Sequence, residues 1–386
     1  MNLREKEDRF VMRTFAKFPF ALVRGEGVRV WDDSGRSYLD FYGGHAVAVL
    51  GHSHPRWADA IARQARTIGF YSGASYFPER GEAARLLVER SYPSMAQVFF
   101  CNSGTEANET ALKIARKATG RSLVVAMEGG FHGRTIGSMS VTANRKHHEK
   151  FPENLTAFTR FVPFGDLPAV RAVDPARVAA VILEPAQSMA GVRIAPAEYF
   201  RGLREHCSAH DIALIFDEVQ TGAGRTGRWF FGGHAGVEPD LVTCAKGIGG
   251  GFPIGAVIAS GALSAQVKEG DQGNTFGGGP MACAAVCATF AILEEEKLVE
   301  NAARLGAQAL DRLGRLAARG GLVREARGLG YLIGIDCRES GKDVAARLRE
   351  RGVLVGTADT PQTIRLLPPL AAGEADWEEF FQALEG

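Results

Sequence analysis

The sequence has no long apolar run. Nothing in it approaches the ~18 consecutive apolar residues of a membrane span, and the opening MNLREKEDRFVMRTFAKF is charged where a signal peptide carries an apolar core. Neither sign of charge prevails. With 45 basic and 44 acidic side chains the formal charge is +1, so no excess charge draws the chain to nucleic acid or anionic lipid. Cys101, Cys207, Cys244, Cys283, Cys287 and Cys337 are scattered, without a C-x-x-C pair. Cys283 and Cys287 share a helical face, but no His or acid joins them at ligand spacing, and we read them as reduced core residues rather than a metal site. Repeats and low-complexity segments are missing too. These absences lead to the expectation of a cytoplasmic protein, without membrane or nucleic-acid partners, that acts on small molecules.

What is present is ordinary globular material, 46% hydrophobic and 23% charged. At 386 residues the chain exceeds the roughly 250–300 at which a single core stops growing, so two lobes are expected. Short apolar runs alternate with helical patterns: QVFFC (97–101), SLVVAM (122–127), VAAVILE (178–184), IALIFDE (212–218), DLVTCA (240–245) and IGAVIA (254–259). Strands without polar alternation are buried on both faces, which predicts an α/β domain with a mostly parallel sheet covered by helices. Between two of them, TEANETALKIARKATG sets Ala107, Ala111, Ile114, Ala115 and Ala118 on one helical stripe. The ends differ: GVRVWDDSGRSYLDF reads as two strands around a turn, and long helices with short strands near 330–336, 353–356 and 363–367 follow residue 280. We expect a large domain over 51–279 and a smaller α+β domain from 1–50 and 280–386.

Chemistry gathers at strand ends. In FFCNSGTEANETALKIARK the apolar run breaks at Asn102, and Ser103, Gly104 and Thr105 lead into a helix. Free N–H groups there, with about half a positive charge from the helix dipole, suit a phosphate; a plain cap by Thr105 is the other reading. AMEGGFHGRTIGSMSVT ends a strand in two glycines before Phe131, His132, Gly133 and Arg134, where parallel sheets place ligands. A ring can stack there and an Arg can grip a carboxylate, unless the segment is a surface loop over a packed Phe. In LVTCAKGIGGGFPIGAVIA, Lys246 stands between an apolar strand and a glycine-rich turn. A free lysine, pKa about 10.4, is protonated and a poor nucleophile, so chemistry needs it desolvated or held as an imine; a solvated loop lysine is the alternative. Finally, IALIFDEVQTGAGRTGRWF runs from β-branched residues into Asp217 and Glu218, and a charge buried there needs a partner. Together, Asp217, Lys246, the cup at 103–105 and Phe131 describe a pyridoxal phosphate site. The partner would be a pyridinium nitrogen: a carboxylate about 4 Å from it is worth about 4 kcal/mol at an effective dielectric of 20, about three pK units.

On these residues the sequence resembles the class III, fold type I pyridoxal phosphate aminotransferases, and within them the acetylornithine group. The likeness runs through RGEGVRVWDDSGRSYLDF, GHSHP, NSGTEANETALK, FHGRT, EPAQ, DEVQTGAGRTG, AKGIGGGFPIGA, NTFGGGPMACAA and RLLPPL, nearly the whole chain. The resemblance implies that Lys246 anchors the cofactor as an imine and shuttles the proton, that Asp217 pairs with the ring nitrogen, and that Val219 and Phe131 cover the two ring faces. It implies Gln220 at the phenolic oxygen, Glu184 supporting the cofactor region, and Ser103, Gly104 and Thr105 at the phosphate. Thr275 would add a hydroxyl from the neighbouring subunit of a homodimer with shared active sites. Arg134 would clamp a substrate carboxylate near Asn274, and Arg365 would meet the α-carboxylate of glutamate and 2-oxoglutarate.

One departure stands out. The family pattern E-P-x-Q-G-E-x-G reads EPAQSMAG at 184–191, so Met189 replaces a Glu that pairs with the arginine at the place of Arg365. Arg365 should then stay uncompensated or find another acid, favouring substrates with a carboxylate next to the reacting carbon. Succinylornithine, ornithine, 4-aminobutyrate and carrier-bound lysine are alternative amino donors. Two remoter readings compete. A nicotinamide oxidoreductase would use GGGPMA, but the polar EGDQGNT before it is no buried strand; a non-catalytic binding protein of the same fold would not need Lys246. GHSHP ends in Pro55 where a hydrolase elbow needs glycine, and His52 and His54 lack a third ligand nearby, so a loop role is expected for them.

Overall fold

The computed structural model describes residues 3–149, 151 and 153–386. The six apolar runs form strands and a seventh joins them. Numbered along the chain, the sheet comprises β1 (Met95–Cys101), β2 (Leu123–Met127), β3 (Thr159–Val162), β4 (Val178–Leu183), β5 (Ala213–Asp217), β6 (Leu241–Ala245) and β7 (Gly255–Ser260), in the order β1-β7-β6-β5-β4-β2-β3. Neighbours from β6 to β3 pair in parallel, and β7 runs against both β6 and β1. The mostly parallel α/β sheet expected from the sequence is therefore present. Every residue of β4, β5, β6 and β7 is buried, because helices cover both faces. On one face lies the helix Gly104–Thr119, which buries Ala107, Ala111, Ile114 and Ala115 and leaves Lys113 and Lys117 outside. β3, absent from the sequence reading, is an edge strand whose Thr159 and Arg160 break the apolar run.

Both ends of the chain share a second core. Strands Leu22–Glu26, Arg29–Asp32 and Ser37–Asp40 form an antiparallel ribbon, joined in parallel by Val353–Leu354. A further antiparallel sheet contains Val323–Leu329, Leu332–Cys337, Thr363–Leu366 and Gly356–Thr357. Leu39, Phe41 and Val49 pack with Leu305, Leu313, Ile335, Ile364 and Phe380. The helix Pro280–Glu295 serves both cores: Cys283, Val286 and Phe290 pack under the large sheet, and Ile292 and Leu293 pack with the chain ends. His52 and His54 pair separately, with Asp40 at 2.8 Å and Glu296 at 3.1 Å. No helix among the described residues is long and apolar enough to cross a membrane.

Candidate active site

The C-terminal ends of β1, β2, β4, β5 and β6 open on one cavity of about 170 Å³, where a parallel sheet exposes its loops to ligands. After β1, Gly104 and Thr105 begin a helix at the wall of the cavity. A Cβ on Gly104 would stand 2.8 Å from Val219 Cγ2, so only glycine lets the helix start approach the loop after β5 this closely. After β2 come Phe131, His132 and Gly133; after β4, Glu184; Asp217 ends β5 and Val219 and Gln220 follow it; after β6 comes Lys246.

Asp217 is almost wholly buried and firmly held. Its Oδ2 accepts from His132 Nδ1 at 2.7 Å and Asn108 Nδ2 at 2.8 Å, and its Oδ1 from the Val219 N–H at 3.1 Å. Thr243 Oγ1 donates to Asn108 Oδ1 at 2.7 Å, which fixes the amide. A carboxylate only accepts, so His132 carries its proton on Nδ1, and its Nε2 is buried without a partner among the described residues. Successive strand residues point to opposite faces, and Glu218 accordingly turns away, accepting from Tyr92 Oη, Thr221 Oγ1 and the Phe231 N–H. Burial pushes its carboxyl up to about 7.

Burial also pushes Glu184 up to about 7, against the pull of His132, while its Oε1 accepts the Phe131 N–H at 2.9 Å. Lys246 keeps an edge open to the cavity yet lies deep enough for burial to bring its amine down to about 8, opposed by Asp217 and Glu184. Its backbone is left-handed, φ 49°, and its Nζ makes no hydrogen bond among the described residues.

Eight of the residues expected at the site, Gly104, Thr105, Phe131, Glu184, Asp217, Val219, Gln220 and Lys246, line this cavity together. Ser103 does not. Its hydroxyl caps the helix by accepting from the Glu106 N–H at 3.3 Å, so the cap is Ser103 and not Thr105, whose hydroxyl pairs with Thr135 and Ser138. Arg134 is exposed, with its guanidinium 6.0 Å from the Phe131 ring centre. Asn274 and Thr275 lie in an exposed loop outside the cavity, the Asn274 amide donating to the Phe100 carbonyl at 2.8 Å. Arg365 is buried; Nε donates to the Thr357 carbonyl at 2.8 Å and Nη1 to Ser188 Oγ at 2.7 Å, and no acid pairs with it among the described residues.

Asn108, His132 and His45 were given no role by the sequence. His45 belongs to a left-handed turn over 43–46, its ring 4.6 Å from that of Tyr42. The residue is exposed, yet the desolvation its ring meets and the charges of Arg365, Lys246 and Arg134 push its pKa down to about 4. The adjacent glycines of GGHA were the available signal for that turn.

The fold is shared with solved aminotransferases. The ornithine aminotransferase of Toxoplasma gondii, whose structure is described as revealing partial occupancy of PLP at the active site, matches with a TM-score of 0.92 at 32% identity, over 99% of this chain and 92% of that one. The acetylornithine aminotransferase of Elizabethkingia anophelis matches with a TM-score of 0.87 at 30% identity, over 99% and 97%. The family model Aminotransferase class-III matches residues 11–386, and the chain belongs to this family of pyridoxal phosphate-dependent enzymes. Among its relatives, the acetylornithine aminotransferase of Methanopyrus kandleri is 46% identical over 98% of this chain and 97% of its own length. The residues present fit the cofactor: an amine deep in the cavity without a hydrogen bond among the described residues, a buried acid whose Oδ1 accepts one backbone N–H among them, and a helix start that a Cβ would block.

Proposed function

We propose that the chain transfers an amino group from N2-acetyl-L-ornithine to 2-oxoglutarate, giving N-acetylglutamate 5-semialdehyde and glutamate, as a cytoplasmic homodimer in arginine biosynthesis. Lys246 lining one cavity with Asp217 and Glu184 is the observation that carries the amine chemistry, and burial there brings its amine down to about 8. The donor rests on the name shared by relatives that match the chain end to end. When bound, pyridoxal phosphate supplies an aldehyde that condenses with amines and a ring that withdraws electrons from the reacting carbon.

Lys246 Nζ is the proton carrier. A pKa near the working pH lets it hold a proton and surrender it at little cost, which a solvated lysine cannot do. Asp217 would stabilise a protonated ring nitrogen, and His132 and Asn108 on Oδ2 keep the carboxylate from turning. Gly104 and Thr105 would hold the phosphate at the helix start, with Ser103 shaping the cup as the cap. Phe131 and Val219, both lining the cavity, would cover the two faces of the ring and exclude water. Gln220 would donate to the phenolic oxygen, and Glu184 steadies the Phe131 loop. Arg134 would hold a substrate carboxylate, Asn274 would approach the substrate from its exposed loop, and Arg365 would take the α-carboxylate of glutamate or 2-oxoglutarate. Thr275 reaches the phosphate site of the partner subunit. Residues 51–279 act as the cofactor-binding domain and the two chain ends as the small domain.

A panel of amino donors against 2-oxoglutarate, with glutamate as the measured product, tests the reading. Acetylornithine should give the highest kcat/KM. Faster turnover of ornithine, succinylornithine or 4-aminobutyrate would replace the donor, and no glutamate from any amine would remove the activity.

A further inference from the structure

A hydroxyl joins Arg365 to Gln220. The segment EPAQSMAG leaves β4 and carries Ser188 into the interior, where it is fully buried. Arg365 Nη1 can only donate, and does so to Ser188 Oγ at 2.7 Å; Gln220 Oε1 stands 3.0 Å from the same oxygen. With the carbonyl end of Gln220 toward Ser188, the hydroxyl proton has an acceptor. With the amide reversed, a guanidinium and an NH2 group would both donate to a hydroxyl whose own proton is stranded, which burial penalises. The Gln220 Nε2 is therefore left for the cavity that this side chain lines. At its other end the guanidinium is tethered by the Thr357 carbonyl at 2.8 Å.

The tie holds Arg365 without neutralising it. A carboxylate in place of the hydroxyl would form an ion pair that an incoming carboxylate must displace, whereas a hydroxyl fixes the geometry and leaves the charge available. Met189, the next residue, has no acid to offer.

We infer that Ser188 is a positioning residue that couples the two halves of the site, setting through one hydroxyl both the carboxylate affinity of Arg365 and the hydrogen bond that Gln220 gives to the cofactor. The inference rests on the proposed roles of Arg365 and Gln220.

Ser188→Ala removes the oxygen and adds no bulk. In the holoenzyme, a titration of 2-oxoglutarate should show binding weakened about tenfold, the loss of one hydrogen bond to a charged group. The pH midpoint of the bound cofactor's visible band should move by about half a unit or more, because Gln220 is freed to turn. On a Gln220→Ala background, Ser188→Ala should leave the band where it is. A thermal melt of each variant verifies the fold. Arg365→Gln separates the premise from the inference: unchanged 2-oxoglutarate binding in that variant removes the carboxylate role of Arg365, and the band still judges the tie to Gln220. If Arg365→Gln weakens binding while Ser188→Ala leaves either the affinity or the band as in the wild type, the coupling is wrong.

Discussion

Asp217 and Glu218 are adjacent in sequence and opposite in surroundings. Asp217 has two donors fixing one oxygen and a nearly open second oxygen on the cavity, whereas Glu218 spends its carboxyl on a loop. Asp217→Asn keeps the shape and removes the charge. With about 4 kcal/mol at stake across 4 Å, kcat should fall by about two to three orders of magnitude, and steady-state kinetics showing less than a tenfold loss would remove Asp217 from the ring nitrogen. Lys246 gives a pH prediction. Its amine attacks an aldehyde only when neutral, and burial lowers its pKa to about 8. Cofactor capture by apoprotein, followed by stopped-flow absorbance, should climb up to about pH 8 and then level. A solvated lysine would go on climbing toward about 10.4.

At the scale of elements, the loop after β5 is held by Glu218, which accepts from Tyr92, Thr221 and the Phe231 N–H. Glu218→Ala strands these donors in the interior and should cost about 3 kcal/mol. The pH dependence has a definite sign. The folded pKa, about 7, lies above the ordinary value of 4.5, so the stability this group contributes is complete below 4.5 and is lost as pH rises through about 7. Urea unfolding should show wild type losing on the order of 2 kcal/mol relative to Glu218→Gln between pH 5 and pH 8; a constant gap would contradict the burial argument. The strands that carry the site were legible because each is an apolar run interrupted by glycine or charge. β3 and Leu22–Glu26 were not, because edge strands tolerate polar residues and blur the pattern. Spacing also could not reveal Asn108, a polar residue on a buried helical stripe, or the contact of His132 with Asp217 across 85 residues. Ser188 meets Arg365 across 177 residues, and only the folded chain brings them together.

At the scale of the whole molecule, a single chain leaves large apolar residues in the open: Phe70, Tyr71, Tyr76 and Phe276, with Tyr76 fully exposed. Phe70 and Phe276 lie against each other, their ring centres 5.2 Å apart, beside the loop of Asn274 and Thr275. An exposed patch of this kind favours covering by another surface. Sedimentation should give a dimer, and Tyr76→Asp with Phe276→Asp should dissociate it and loosen the cofactor; a wild-type monomer that keeps its cofactor would show the site complete in one chain. Lys246 should be the amine that holds the cofactor. Borohydride reduction of the holoenzyme followed by peptide mapping should find the pyridoxyl mass on Lys246 and nowhere else, and an adduct on another residue, or none, would contradict it.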